Sequence, residues 1–471
     1  MTTSTFICIS ALFAGAGIAR VFRGTGRAVA LAAIPVSGVF LLLSQSHQSS
    51  AWWGADRLGV VLALMALIIC FCAARFALRQ FEGEERGGPI LASSLAVVGG
   101  VVATDLARNL AALMISWAVT SLCTVVLLSA GTTWAKASAA RQAAVVFGIA
   151  DSFIILGVLL SSWLPGGISL TAPLTSKAQG VAAGVLLGVA AIAACGRAGL
   201  SLGRSWVTST ISVPTSTSAL LHAGVVNAGA LLLLRAEGTS GSSWVFGALL
   251  ALVCVVVLLV LAPKIHARVD LKGQLAASTV SQMAFMLLAV ALGWPLLAIT
   301  HLVGHGLYKA GRFMSSGGAT ETRARVRRRA DSGSQMSQFH RVAGVAALLV
   351  VAVALGVAVG QDALAAMSVV GPAAGVVWWQ RTATPLRGPL VSWAVVAVGL
   401  ATYGAMLKGA QTLLGASLPS AIWQAPWWSL GAVVALVTMI SELRHRSSMK
   451  ATATVGKLVT PAPALMHEVA A

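Results

Sequence analysis

Apolar residues run along this chain in long blocks, without the strict period-2 alternation of half-buried strands. Each block is about as long as a helix needs to cross a bilayer, roughly 20 residues. The blocks recur from about 4–19 to about 425–442, which predicts an all-α, polytopic fold of about fifteen transmembrane helices. The polar stretches between them are short, except residues 317–340, GGATETRARVRRRADSGSQMSQFH, a basic and polar loop. Five regions follow: N-terminal transmembrane helices over 1–79, a helical core over 80–316, the basic loop over 317–340, C-terminal transmembrane helices over 341–443 and a polar tail over 444–471.

One interval does not fit a simple crossing. From Lys177 to Val213 the chain runs about 36 residues, well beyond one span. Its middle, ACGRAGLSLGRSW, carries Gly196, Gly199 and Gly203. A broken helix whose halves meet near Arg197 is the expectation, and such breaks inside membranes often mark ion sites.

Composition agrees with the pattern: 58% of residues are hydrophobic and only 10% charged, which excludes an ordinary soluble domain. The 32 Lys and Arg exceed the 13 Asp and Glu, for a net charge of +19. They gather in alternate loops, so the positive-inside rule places the N-terminus outside and the C-terminus in the cytoplasm. The first arginines, Arg20, Arg23 and Arg27, follow the first apolar run, which predicts an uncleaved first helix. Topology and anionic membrane lipid account for the basic loops without nucleic acid. Those loops also offer a surface for an acidic cytoplasmic protein. All six cysteines lie within predicted spans, and Cys70 and Cys72 point to different faces. They read as small buried hydrophobes, so no metal or cofactor is expected in this chain.

A charged side chain near mid-bilayer costs roughly 2.5–3.5 kcal/mol on insertion scales and therefore calls for a partner or a function. Asp105 and Lys408 lie near span ends, where snorkelling accounts for them, and Asp105 can also pair with Arg108. Asp151 lies near the centre of the span 142–163, Arg197 marks the helix break, and His222 lies about two turns into the span 216–235. Asp151 can be a structural ion-pair partner or an acidic transport group. Arg197 suits a fixed charge better than a proton carrier. His222 can titrate near neutrality or be simply hydrogen-bonded.

The strongest signal is HLVGHGLYKA, in which His301, His305 and Lys309 recur at intervals of four. That spacing forms one gently drifting stripe about 12 Å long on a helix. The preceding span offers Ser278, Thr279, Ser281 and Gln282 as a polar lining. A row of titratable groups with polar neighbours is what a proton relay needs. Two histidines at this spacing also suit zinc, but no third ligand stands nearby.

The stretches STVSQMAFM (278–286), HLVGHGLYKA (301–310) and PTSTSALLHAG (214–224) together resemble the antiporter-like subunits shared by complex I and multisubunit cation/proton antiporters. The resemblance covers roughly 58–316. It implies a proton-conducting core, with Lys309 at the family's lysine of span 11 and Arg197 where a buried lysine is usual. Two departures stand out. The family's tryptophan-glutamate pair reads Trp117-Ala118 here, and Asp151 becomes the candidate acidic substitute. The lysine of a second broken helix has no clear match, the nearest polar interruption being VGQDALAAM around Asp362.

The missing glutamate and the stretch LLHAGVVNAGALLLLR are similar to the DabB branch, membrane subunits of two-component inorganic-carbon transporters. That resemblance implies a DabA-type, carbonic-anhydrase-like partner on the cytoplasmic side that holds the zinc and hydrates CO2 to bicarbonate. The chain itself is then no enzyme: it conducts protons or Na+ through Asp151, Arg197, His222, His301, His305 and Lys309. A subunit of an NADH:quinone oxidoreductase or of a multisubunit antiporter is the alternative, and a non-transporting scaffold is a third.

Overall fold

In hydrocarbon no water satisfies backbone N–H and C=O groups, so each apolar block must close its own hydrogen bonds as a helix. The computed structural model describes residues 3–22, 25–44, 51–130, 134–200, 206–240, 244–266, 270–318, 338–381, 389–415, 418 and 424–440. The first seven helices are α1 (Thr3–Val21), α2 (Thr25–Leu43), α3 (Arg57–Gln80), α4 (Gly87–Asp105), α5 (Leu110–Ser129), α6 (Trp134–Trp163) and α7 (Gly180–Arg197). A short α8 (Trp206–Ser209) precedes α9 (Thr215–Ala223) and α10 (Ala228–Ser240). Then come α11 (Trp244–His266), α12 (Leu271–Ala291) and α13 (Pro295–Met314). The last four are α14 (Gln338–Val359), α15 (Gln361–Arg381), α16 (Pro389–Leu414) and α17 (Trp428–Ile440).

Among the described residues, nine helical stretches are long and apolar enough to cross a membrane, and shorter apolar helices accompany them. The chain is a multi-pass membrane protein. α13 is not among the nine, because its two histidines, Lys309 and Arg312 dilute its apolar character. Most of the basic loop, 319–337, and the tail from 441 onward lie outside the described residues.

The stretch Thr215–Glu237, formed by α9 and α10, is the centre of the bundle, and its apolar window is wholly buried. α3, α4, α7, α12 and α13 pack around it. This crossing is not one continuous helix. α9 stops at Ala223, a 3-10 turn runs from Val225 to Asn227, and α10 resumes at Ala228. Asn227 Nδ2 donates to the Ala223 carbonyl at 2.6 Å, supplying a partner that the interrupted ladder no longer provides. α13 passes close by: a Cβ on Gly306 would stand 2.9 Å from the Ala223 oxygen.

The break at Arg197 has a local cause in the sequence. Gly199 adopts φ +71°, the left-handed conformation that glycine takes without a steric penalty. The Leu200 N–H then reaches back to the Cys195 carbonyl at 2.9 Å, and the Gly199 N–H to Gly196 at 3.1 Å. This pair of bonds is a Schellman C-cap, so the helix ends at Arg197 with Ala198 as its capping residue. Arg197 consequently sits at a helix C-terminus, where the peptide dipole favours a cation.

Candidate functional site

Two clusters of polar residues are embedded in the bundle. The first gathers α5, α6 and α7 around Arg197, which is 1% exposed. One of its guanidinium nitrogens, Nη2, donates to Ser121 Oγ at 2.6 Å and to the Trp117 carbonyl at 3.3 Å, and lies 3.9 Å from Asp151 Oδ1. The same Asp151 oxygen accepts the Trp117 indole N–H at 2.7 Å. The Arg197 guanidinium carbon lies 4.2 Å from the Trp117 ring centre and 4.5 Å from that of Phe147. A desolvated cation gains from such ring faces on the order of 2 kcal/mol. Two rings, a hydroxyl, a carbonyl and a carboxylate thus hold this charge in place. Trp117 and Ser121 complete the cluster: Trp117 stood out in the sequence through the Trp117-Ala118 departure, whereas Ser121, one turn further on, did not.

The second cluster lies where α9, α12 and α13 meet. His222 Nε2 is 2.8 Å from Thr210 Oγ1, and its ring stacks on Phe313 with centres 4.5 Å apart. Its Nδ1 is buried with no partner among the described residues. The His305 ring faces the backbone of His222, and its Nε2 is buried with no partner among the described residues. His301 and His305 have ring centres 6.2 Å apart at 25°, as the i, i+4 spacing requires. His301 Nε2 is 2.7 Å from Gln282 Oε1, and Phe285 packs against the same imidazole. At the other end of the row, Lys309 Nζ donates to the Leu275 carbonyl at 2.9 Å and to Ser278 Oγ. Lys309 is 2% exposed, so its ammonium is held inside the bundle and does not snorkel.

The lining expected on α12 divides. Ser278 and Gln282, four residues apart, share the face that meets Lys309 and His301. Thr279 returns its hydroxyl to the Leu275 carbonyl at 2.9 Å, an oxygen that Ser278 also reaches at 3.1 Å, and the Ser281 hydroxyl is buried without a partner among the described residues. Thr279 and Ser281 lie off the shared face, because consecutive side chains on a helix diverge by about 100°.

No hydrogen bond joins Arg197 to His222 directly among the described residues. The segment after the break spans the gap: the Trp206 indole N–H donates to Gly196 at 3.0 Å, its ring meets Phe147 edge-on, and Thr210 reaches His222. Thr210 was not foreseen from the sequence, since nothing local marks a threonine brought home by a chain reversal.

Two smaller expectations change. Asp105 does not turn to Arg108. The charged groups facing it are Arg235 and Asp56, and Arg235 Nη2 donates to the Asp105 carbonyl at 3.2 Å. Asp362 stands in the first turn of α15, two residues after Gly360, where the chain reverses between two mutually packed helices. It marks a hairpin and not a second broken helix.

The model of a family described as NADH:quinone oxidoreductase/Mrp antiporter, transmembrane, matches residues 107–360. The chain belongs to this family. Among relatives, it is 29% identical over 285 residues to "Probable inorganic carbon transporter subunit DabB" of Hydrogenovibrio crunogenus, covering 58% of this chain and 54% of that protein. It is 27% identical over 299 residues to the DabB of Bacillus subtilis, covering 62% and 59%. A further similarity, 33% over 189 residues, is to "NADH-quinone oxidoreductase subunit L" of Mycobacterium tuberculosis, covering 38% of this chain and 29% of that one. The matches thus span about half to three fifths of the length of these DabB relatives. In fold, the chain resembles the Mrp complex of Dietzia sp. DQ12-45-1b, with a TM-score of 0.64 at 19% identity over 99% of this chain and 61% of that one.

Within the antiporter-like family frame, the Ala118 departure acquires a structural counterpart. The carboxylate facing Arg197 comes from α6, as Asp151, and Trp117 on α5 orients it. Both clusters, the break at Arg197 and the interrupted central crossing all fall within the matched residues 107–360.

Proposed function

We propose that this chain is the energy-coupling membrane subunit of an inorganic-carbon accumulating complex, conducting protons past Arg197 and along His222, His305, His301 and Lys309. The observation that carries the reading is the row on α13. Three ionisable groups stand inside the bundle, and α12 supplies a polar partner to each end. Histidines exchange protons readily near neutral pH, whereas a sodium path calls for clustered oxygen ligands. In this reading Arg197 and Asp151 form the fixed charge pair at the helix break, with the N-terminus outside and the C-terminus in the cytoplasm.

Relatives named DabB support inorganic carbon as the substrate class. The partner is then a DabA-type, carbonic-anhydrase-like subunit on the cytoplasmic side. It holds the zinc and hydrates CO2 to bicarbonate, while this chain supplies the ion flow. The likeness to subunit L supports a second reading, an antiporter-like subunit of an NADH:quinone oxidoreductase or a cation/proton antiporter. Ala118 and Arg197 weigh against it.

Co-expression with the candidate partner in a carbonic-anhydrase-deficient host tests the proposal through growth in air. The wild-type pair restores growth, and His305→Ala and Lys309→Ala each abolish it. Rescue by both variants at the wild-type level overturns the relay. Neighbouring genes for respiratory subunits, in place of a large zinc protein, overturn the choice of complex.

A further inference from the structure

A second polar pair lies behind α13 and belongs to neither cluster. A cavity of about 10 Å³, on the order of what one water needs, is walled by Met65 of α3, Asp105 of α4, Gly224 and Asn227 of the central interruption, and Leu302 of α13. Asp105 and Asn227 are each 4% exposed. The Asn227 amide nitrogen is committed to the Ala223 carbonyl, which leaves Oδ1 buried with no partner among the described residues.

The two polar groups lining the pocket are therefore both acceptors when Asp105 is ionised. Two buried acceptors around one small space repel each other unless a donor lies between them, and a buried acceptor without one costs about 1–3 kcal/mol. Arg235 places Nη1 and Nη2 on Asp56 at 2.6 and 2.8 Å, and Nη2 also meets the Asp105 backbone carbonyl at 3.2 Å.

We infer that Asp105 and Asn227 form a protonation site, in which the Asp105 carboxyl donates to Asn227 Oδ1 directly or through one water. Resting on the proton-conduction reading, the pocket is a branch from the histidine row toward the face where Asp56 and Arg235 stand. Leu302 is one turn from His305 on α13, and Gly224 follows His222 by two residues. The step is a proton transfer alone. An imidazolium loses its proton to the intervening water, that water protonates the Asp105 carboxylate, and the carboxyl later releases the proton to water at the Asp56 face. Charge and atoms balance without any redox partner.

Infrared difference spectroscopy on the purified full chain with its partner tests the site, and proton flux in proteoliposomes tests the route. The wild type shows a protonated-carboxyl C=O band that is missing from Asp105→Asn and shifted in Asn227→Leu, which removes the acceptor. Asp105→Asn lowers proton flux at least about tenfold. A spectrum unchanged by Asp105→Asn overturns the site, and wild-type flux in that variant overturns the branch. Absence of flux from the wild type itself overturns the conduction reading, while the infrared band still decides the site.

Discussion

The Trp117 indole donates a 2.7 Å hydrogen bond to Asp151 while the face of the same ring lies 4.2 Å from the Arg197 guanidinium carbon. One side chain therefore orients both members of a buried ion pair. Asp151 and Arg197 come from different helices, and Trp117 from a third, so the pair is a product of packing. Asp151→Asn leaves Arg197 buried without its carboxylate, which costs about 3 kcal/mol by the general behaviour of broken buried pairs. Thermal unfolding in detergent measures that loss. A cycle with Arg197→Gln separates the coupling from the individual losses, and independent, additive effects reject the pairing.

Ser278 accepts from the Lys309 ammonium together with the Leu275 carbonyl. Ser278→Ala removes one of two acceptors from a buried cation, at about 1–3 kcal/mol, and leaves the charge in place. Proton flux in proteoliposomes falls partially, whereas Lys309→Met abolishes it. Equal effects of the two variants refute the assignment of Ser278 as a positioning residue.

Gly306 lets α13 approach the interrupted central crossing. Its missing side chain leaves room for the Ala223 carbonyl and Met65 Sδ, which a Cβ would meet at 2.9 and 3.0 Å. Gly306→Ala forces the helices apart and costs about 1–3 kcal/mol through overpacking. It also lifts His305 away from the His222 backbone, so the melting temperature and proton flux drop together. Gly304→Ala on the same helix is a matched control, since nothing lies within 4 Å of its Cβ position. Identical melting temperatures for both variants speak against the close approach.

Asp56 caps α3 through the Gly59 N–H and pairs with Arg235. Burial pushes its carboxyl up, but Arg235, the Gly59 N–H and Arg108 outweigh burial and hold it below its ordinary value. A carboxyl with a depressed folded value contributes stability above its unfolded value and loses that contribution as pH falls through the folded one. The pair is partly exposed, 16% and 30%, so the contribution is about 1 kcal/mol after screening. Asp56→Asn is less stable than wild type by that amount at neutral pH, and the gap closes below about pH 4. A gap independent of pH in denaturant titrations assigns the loss to the cap alone.

Several features were legible in the residues because they depend on local rules. Apolar run lengths mark the crossings, Gly199 dictates where α7 ends, and intervals of four align His301, His305 and Lys309 on one stripe. The match of Ser278 and Gln282 to that stripe follows from their own interval of four. Each of these is set by backbone geometry and by the cost of polar groups in hydrocarbon, which any one segment carries by itself.

Only the tertiary structure decided which side chains meet. It broke the central crossing at Gly224, brought Thr210 to His222, set Trp117 between Asp151 and Arg197 and enclosed Asp105 with Asn227 in one pocket. These contacts join residues that lie on different helices or across a chain reversal. Their partners are chosen by helix rotation and close approach at small residues such as Gly306, quantities that no single segment of the sequence contains.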